Sequence, residues 1–131
     1  LIGGRLVPLR VYGSSMKRQI QPSAEADRLC ILRDQYGFDA FKFRVGAECG
    51  RGIDEWLGRT EEIVKVVPKA LGDNIDKLVD ANSCYSVSQA IKIGKMFIVD
   101  QLKSGGIEEE RFLNTIKMAA WLLQGEINGY K

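Results

Sequence analysis

Cationic and apolar side chains alternate in one short segment of the sequence, residues 41–45. In a strand, whose side chains repeat every two residues, Lys42 and Arg44 lie on one face. Phe41, Phe43 and Val45 lie on the other. A parallel strand is normally apolar on both faces, so two cations on one face require either solvent or an anionic ligand there. Both interpretations, a solvated edge strand and an anion site, remain open at this point.

A second polar pair follows an apolar run at residues 78–82, Leu-Val-Asp-Ala-Asn. Asp80 and Asn82 lie on a common side at the carboxyl end of a predicted strand, where carboxylate oxygen often holds a divalent cation. Asx residues also frequently cap the turn into a following helix, and these residues taken alone favour that interpretation. If the strands are adjacent and parallel, Lys42, Arg44 and Asp80 surround one pocket.

The residue types that the chain lacks narrow the chemistry further. The sequence contains no histidine, which excludes Ser-His-Asp and Cys-His catalytic arrangements and histidine-ligated metals within it. The three cysteines, Cys30, Cys49 and Cys84, are far apart and odd in number, so we expect reduced thiols rather than a zinc site or a disulfide framework.

Strand-like and helix-like periods alternate along the first hundred residues. The predicted strands cover residues 6–12, 40–45 and 77–81. The three predicted helices begin at the capping residues Ser23, Thr60 and Ser86, the last with Gln89 as a capping box, and Gly37 and Gly72 end the first two. The order βαβαβα, without hairpin signals, predicts parallel strands joined by helical crossovers.

The 131 residues fit one domain, 1–131, and are fewer than the roughly 200 of a complete (βα)8 barrel. Residues 1–97 carry the βα units, whereas 98–131 form a divergent tail with a predicted amphipathic helix at 108–124. The predicted core consists of Val11, Phe41, Phe43, Val45, Ile63, Val67, Leu78, Ile91, Phe112 and Ile116.

Three segments, 38–46, 58–73 and 78–91, resemble the early barrel strands and helices of the mandelate racemase group in the enolase superfamily, particularly its acid-sugar dehydratases. The resemblance spans about residues 11–96. It implies a partial TIM-type (βα) barrel with about three βα units and a C-terminal helix. It also implies a Mg2+-dependent reaction that removes the proton α to a carboxylate, giving either dehydration or racemisation.

The resemblance implies roles for four residues. Asp80 would be a metal ligand, Lys42 and Arg44 would fill the two cation positions of the strand motif, and Asn82 would be a supporting polar contact. Arg44 stands where the commoner pattern has a second lysine, and a guanidinium is a poor base and a better carboxylate clamp. Lys42 would then act as the base.

The implied partner is a carboxylated sugar or hydroxy acid. Nineteen basic against 17 acidic residues, with no basic block, do not predict nucleic-acid binding. No apolar run is long enough to cross a bilayer and no signal peptide is recognisable, so the prediction is a cytoplasmic protein without membrane contact. Exposed edges of a three-stranded sheet predict a homo-oligomer.

Two further hypotheses remain beside the enzyme. The later barrel strands and the family's capping domain are not recognisable in the sequence, so the chain is expected to be incomplete. It could therefore be an inactive folded barrel fragment or an oligomerising α/β module. A phosphate-binding doubly wound domain is disfavoured because no glycine-rich fingerprint follows the first predicted strand.

Overall fold

A computed structural model describes the chain at Gly4 and over residues 8–103, of which 100–103 are described in backbone only. The described part alternates strands and helices, as the sequence predicts. The elements are β1 (Gly13–Ser14), α1 (Pro22–Tyr36), β2 (Ala40–Arg44), α2 (Arg59–Leu71), β3 (Asp76–Asp80) and α3 (Val87–Lys103).

The three strands form one parallel sheet in the order β1-β2-β3, which confirms the predicted parallel arrangement. In the register of β2 with β3, Lys42 lies beside Leu78 and Arg44 beside Asp80. Paired residues of neighbouring strands project to the same face. The two cations of β2 and the aspartate of β3 therefore share one face, at the carboxyl end of the sheet.

The first strand differs from the prediction. Within the described residues, 8–12 are not in a strand, and β1 is limited to Gly13 and Ser14, which pair with Phe41 and Lys42. A Cβ atom on Gly13 would lie 2.6 Å from the Phe41 ring, so the close approach of the two strands depends on this glycine. The sequence pattern predicted a strand at residues 6–12 instead, because apolar alternation carries no information about a contact between a glycine and a distant ring.

Two helix starts also differ from the prediction. The N-cap of α1 is Gln21, followed by Pro22 in the first turn, and the N-cap of α2 is Gly58. Ser23 and Thr60 therefore lie inside their helices. Proline suits the first helical position because an N–H group there would have no partner within the helix. Helix α1 therefore begins at Pro22, before the predicted cap Ser23.

The predicted helix ends are correct. Gly37, at φ 69°, and Gly72, at φ 78°, are the C-caps of α1 and α2, and each donates its N–H to a carbonyl of the last turn. The capping box of α3 also forms, since Ser86 N–H donates to Gln89 Oε1 at 3.0 Å. The helix continues to Lys103, past the change of pattern near residue 98.

The core lies between β2 and the helices α1 and α2. Its buried apolar residues are Ala26, Leu29, Phe41, Phe43, Val45, Ile63, Val64, Val67 and Leu71. The other face of the sheet carries the cations.

Three residues predicted for the core are exposed: Val11 at 63%, Leu78 at 40% and Ile91 at 51%. Val11 precedes β1, and Leu78 lies on the cation-bearing face. Ile91 lies away from the core because α3 packs through Met96 and Phe97. Phe112, Ile116 and the predicted helix 108–124 lie outside the described residues. In the part of the chain that the structure describes, no helix is long and apolar enough to cross a membrane.

Candidate active site

The carboxylate of Asp80 joins the two cations of β2. Its Oδ2 atom lies 3.0 Å from Lys42 Nζ and 3.2 Å from Arg44 Nη1. The other oxygen, Oδ1, accepts the backbone N–H of Asn82 at 2.8 Å. Asp80 therefore closes the turn after β3, as an Asx residue often does, and at the same time pairs with both cations.

The surroundings of Asp80 favour its ionised form. Partial burial by itself would raise the pKa of the carboxyl group. The hydrogen bonds from Lys42 and from the Asn82 backbone, together with the charges of Arg44 and Lys42, outweigh burial and hold the pKa below its ordinary value. Asp80 is consequently a carboxylate at neutral pH, the form in which it can bind cations.

Arg44 is the most enclosed member of this cluster, only 4% exposed. Its Nη2 donates to the sulfur of Met16 at 3.2 Å. The Nη1 contact with Asp80 is an ion pair without hydrogen-bond geometry, and neither Nη1 nor Nε has a hydrogen-bond acceptor among the described residues. Buried guanidinium groups are normally fully hydrogen-bonded, so Arg44 has donor capacity in reserve.

Lys42 and Asn82 complete the set of residues predicted from the sequence. Lys42 is half-buried, and its Nζ lies 5.6 Å from the centre of the Tyr12 ring, at cation–π distance. Asn82 adopts a left-handed conformation at φ 47°, its side chain is exposed, and it joins the cluster through its backbone N–H. The structure thus brings together the side chains of Lys42, Arg44 and Asp80, and Asn82 by its backbone.

Backbone hydrogen bonds join the loop that follows β2 to the loop that follows β3. Gly52 N–H donates to the Cys84 carbonyl at 2.9 Å, and Gly50 N–H donates to the Ser83 carbonyl at 3.0 Å. Gln89 Nε2 donates to the Gly52 carbonyl at 2.6 Å. These bonds fix the backbone of residues 50–52 and 83–84, which we call the rim of the carboxyl end of the sheet.

Thr60 anchors that rim from the first turn of α2. Its buried hydroxyl accepts the N–H of Gly46 at 3.0 Å and donates to Asp54 Oδ1 at 2.8 Å. Since the single Thr60 proton goes to Asp54, the Tyr85 hydroxyl, 2.8 Å away, must donate to Thr60. Asp54 Oδ2 also accepts the Thr60 N–H at 2.6 Å, so Asp54 performs the capping role that the sequence assigned to Thr60.

Arg59 is completely buried and donates from Nη1 to the Arg44 carbonyl at 3.0 Å, although it was not among the residues predicted from the sequence. The available signal was a positive charge in the first turn of a helix, where the dipole disfavours it. The network of Thr60 with Asp54 and Tyr85 was not predicted either, since no local spacing rule indicates it.

A cavity of about 550 Å³ lies beside the segment 16–20, which forms one wall together with Glu48 and Glu55. Met16 belongs to this wall and also contacts Arg44. Met16 thus lies between the cavity and Arg44, which is not itself a lining residue.

Over residues 8–99, where side chains are described, no group of three acidic, cysteine or histidine side chains forms a ready metal cage. Asp80 provides one carboxylate, already paired with two cations. A magnesium ion takes octahedral oxygen coordination and is often held by one or two carboxylates with water and substrate oxygens. Asp80 fits one position of such a site and does not form it alone.

Comparison with known proteins places this arrangement in a family. The model of the enolase C-terminal domain-like family matches residues 24–110. The D-gluconate dehydratase of Thermoproteus tenax is 32% identical over 102 residues, which cover 74% of this chain and 20% of that protein. The crystal structure of a proposed racemase from Roseobacter denitrificans matches with a TM-score of 0.67 and 56% identity, covering 70% of this chain and 25% of the other.

The chain thus spans between a fifth and a quarter of the length of these relatives. The family's domain is a barrel of the TIM type, and the three described βα units have the architecture of part of such a barrel, as the sequence predicts. Members of the superfamily generally bind Mg2+. The chain belongs to the enolase C-terminal domain-like family, within the mandelate racemase and enolase superfamily.

Proposed function

We propose that the carboxyl end of the sheet binds the carboxylate of an acid sugar or related hydroxy acid and supports removal of its α-proton. The observation that carries this proposal is the buried Arg44 guanidinium, whose Nε and Nη1 atoms have no hydrogen-bond acceptor among the described residues. Two cations face a single carboxylate in this cluster. The surplus positive charge and the unused donors match an incoming carboxylate.

Arg44 and Lys42 differ in what they can do to such a substrate. A guanidinium stays protonated and donates in a planar fork, so Arg44 is suited to bind the carboxylate. Lys42 is the candidate base, and its Nζ is held 3.0 Å from Asp80 Oδ2. It is therefore free to approach a substrate only when Asp80 is engaged elsewhere.

A divalent cation would engage Asp80 in that way. Asp80 would be one Mg2+ ligand, with the remaining ligands coming from outside the described residues or from the substrate. Mg2+, when bound, would supply positive charge beside the substrate carboxylate, where charge builds up as the α-proton leaves. The backbone of Asn82 keeps the Asp80 carboxylate oriented.

The fate of the deprotonated acid would decide the reaction class. Departure of the β-hydroxyl group with one proton, equivalent to the one taken from the α-carbon, gives water and an enol, which becomes a keto acid, and this is a dehydration. Return of a proton to the opposite face of the α-carbon gives racemisation or epimerisation. The two relatives, a D-gluconate dehydratase and a proposed racemase, represent both classes. The cavity beside Met16 offers polar groups to the hydroxyls of a sugar acid.

The test is a calorimetric titration with Mg2+ and then with D-gluconate, on the protein and on Asp80→Asn. We expect binding that disappears in Asp80→Asn, because the amide that replaces the carboxylate has no charge for the metal. Asp73→Asn is the matched control, since Asp73 is an exposed aspartate at the opposite end of β3. Its binding should equal that of the unchanged protein, and circular dichroism should show that both variants are folded.

Absence of Mg2+ and D-gluconate binding in the unchanged protein would contradict the proposal. The chain would then be a folded set of barrel units without the family's chemistry. Self-association of the chain stays a prediction, based on the two edge strands β1 and β3. Sedimentation at the concentration used for calorimetry tests it, and a monomer would contradict it.

A further inference from the structure

Arg59 is a buried cation without an ion pair among the described residues. Its side chain is 0% exposed, and its hydrogen bonds go to backbone carbonyls alone. The Trp56 ring lies 5.3 Å from its guanidinium carbon. Burial of a charge without a directly paired opposite charge is costly, and here burial lowers the pKa of Arg59 despite the more distant carboxylates of Asp54, Glu25 and Glu55. The position at the start of α2 adds an unfavourable helix dipole. Packing alone therefore does not explain why an arginine occupies this position, and its hydrogen-bond partners suggest a role.

The three acceptors show what Arg59 connects. Nη1 donates to the carbonyl of Arg44 at 3.0 Å, at the last residue of β2. Nε and Nη2 donate to the carbonyls of Ile20, at 3.3 Å, and Lys17, at 3.5 Å. Both lie in the loop between β1 and α1. Arg59 therefore ties this loop to the end of β2.

The same loop reaches the side chain of Arg44. Met16 precedes Lys17 by one residue, and its sulfur accepts Arg44 Nη2 at 3.2 Å. On the opposite side, Arg44 Nη1 lies 3.2 Å from Asp80. The Arg44 guanidinium thus lies between Met16 and Asp80, and Arg59 holds both the backbone of Arg44 and the segment that carries Met16.

We propose that Arg59 is a positioning residue, which holds the Arg44 guanidinium against Asp80 by fastening the Met16 segment to the end of β2. The consequence for substrate binding rests on the proposed function of this cluster. The positioning itself is a property of the protein without ligand, and it can be tested without one.

The first test uses the methyl signals of methionine in the protein labelled with 13C-methyl methionine. The Met16 signal, assigned with Met16→Leu, reports on its contact with Arg44, and Arg44→Gln gives the signal when the guanidinium is gone. We expect Arg59→Gln and Arg59→Lys to move the Met16 signal toward that value, because neither side chain can reach three carbonyls. The Met96 signal should stay in place, since Met96 packs against the core and reports that the variant is folded.

Arg33→Gln is the matched control for these variants. Arg33 also donates to backbone carbonyls, those of Ala70 and Leu71 at 3.4 and 3.1 Å, but it joins α1 to α2 far from the cluster. Its loss should leave the Met16 signal unchanged. An unchanged Met16 signal in folded Arg59→Gln or Arg59→Lys overturns the proposal, and so does an equal shift in Arg33→Gln.

The second test measures D-gluconate affinity in the presence of Mg2+. Loss of one well-placed charge-assisted hydrogen bond predicts about tenfold weaker binding in Arg59→Gln. In the Arg44→Gln background, the same change should have no further effect. An equal loss in both backgrounds shows that Arg59 does not act through Arg44 and overturns the proposal. If the unchanged protein does not bind D-gluconate, the proposed function fails, while the Met16 signal still decides whether Arg59 positions Arg44.

Discussion

Replacement of Thr60 by valine removes one hydroxyl group and leaves the side-chain volume almost unchanged. The resulting loss of stability therefore measures the hydrogen bonds of that hydroxyl group. The hydroxyl is the acceptor for the buried N–H of Gly46 and for the Tyr85 hydroxyl, and it donates to Asp54. A valine methyl group can do none of these. The Thr60 backbone bond to Asp54 Oδ2 remains in the variant.

The expected cost follows from the groups left without partners. A buried N–H without an acceptor costs about 1–3 kcal/mol, and the half-buried Tyr85 hydroxyl loses a bond with a net contribution of about 0.5–1.5 kcal/mol. Asp54 is partly exposed, so water can replace its lost donor. We therefore expect Thr60→Val to lower the free energy of unfolding by about 2–4 kcal/mol.

Urea denaturation followed by circular dichroism measures this change. Thr60→Ser is the control, because it keeps the hydroxyl and loses one buried methyl group, at a cost of about 1 kcal/mol. Tyr85→Phe should cost about 0.5–1.5 kcal/mol alone and almost nothing in the Thr60→Val background. A Thr60→Val variant within about 1 kcal/mol of the unchanged protein, or a serine variant as unstable as the valine one, would show that the Thr60 hydroxyl does not contribute this stability.

Two further predictions concern the same region. Gly46→Ala should destabilise the protein more than Gly37→Ala: both glycines have positive φ, 67° and 69°, but a Cβ on Gly46 would lie 2.9 Å from the sulfur of Cys84 whereas one on Gly37 meets nothing within 4 Å. Thermal unfolding compares them, and equal losses would contradict the steric argument. Burial, with the negative charge of Asp54 adding to it, raises the pKa of Tyr85 above its ordinary value of 10.0. The contribution of Tyr85 to the free energy of unfolding is therefore complete below pH 10.0, and it is lost as the pH rises through the higher folded-state pKa. The stability difference between the protein and Tyr85→Phe should narrow over that range, and a constant difference would contradict it.

Much of the local structure is predictable because it depends on neighbours along the chain. Gly37 and Gly72 end their helices through their own backbone freedom. Ser86 and Gln89 form their capping box within a single turn. The alternation at Phe41 to Phe43 predicts which face of β2 is buried, since a strand has only two faces.

Predictions failed where a residue's surroundings come from distant segments. Leu78 has the apolar character of a core residue, but the register of β3 with β2 places it on the face that carries Lys42. Ile91 lies on an apolar stripe of α3, yet that helix packs through Met96 and Phe97. Hydrophobicity indicates that a side chain favours burial, and only packing decides which apolar residues are covered.

The candidate site also has a part that is predictable from local sequence and a part that depends on distant segments. That Lys42 and Arg44 share a face of one strand and that Asp80 ends another can be read from the amino-acid sequence, because both follow from the period of a strand and from parallel topology. Packing of the elements sets the rest: Asp80 contacts both cations, Arg44 is buried with unused donors, and Arg59 and Thr60 hold the surrounding backbone. These contacts join residues 14 to 42 positions apart. Their geometry depends on how the strands and helices pack, which no local pattern in the sequence encodes.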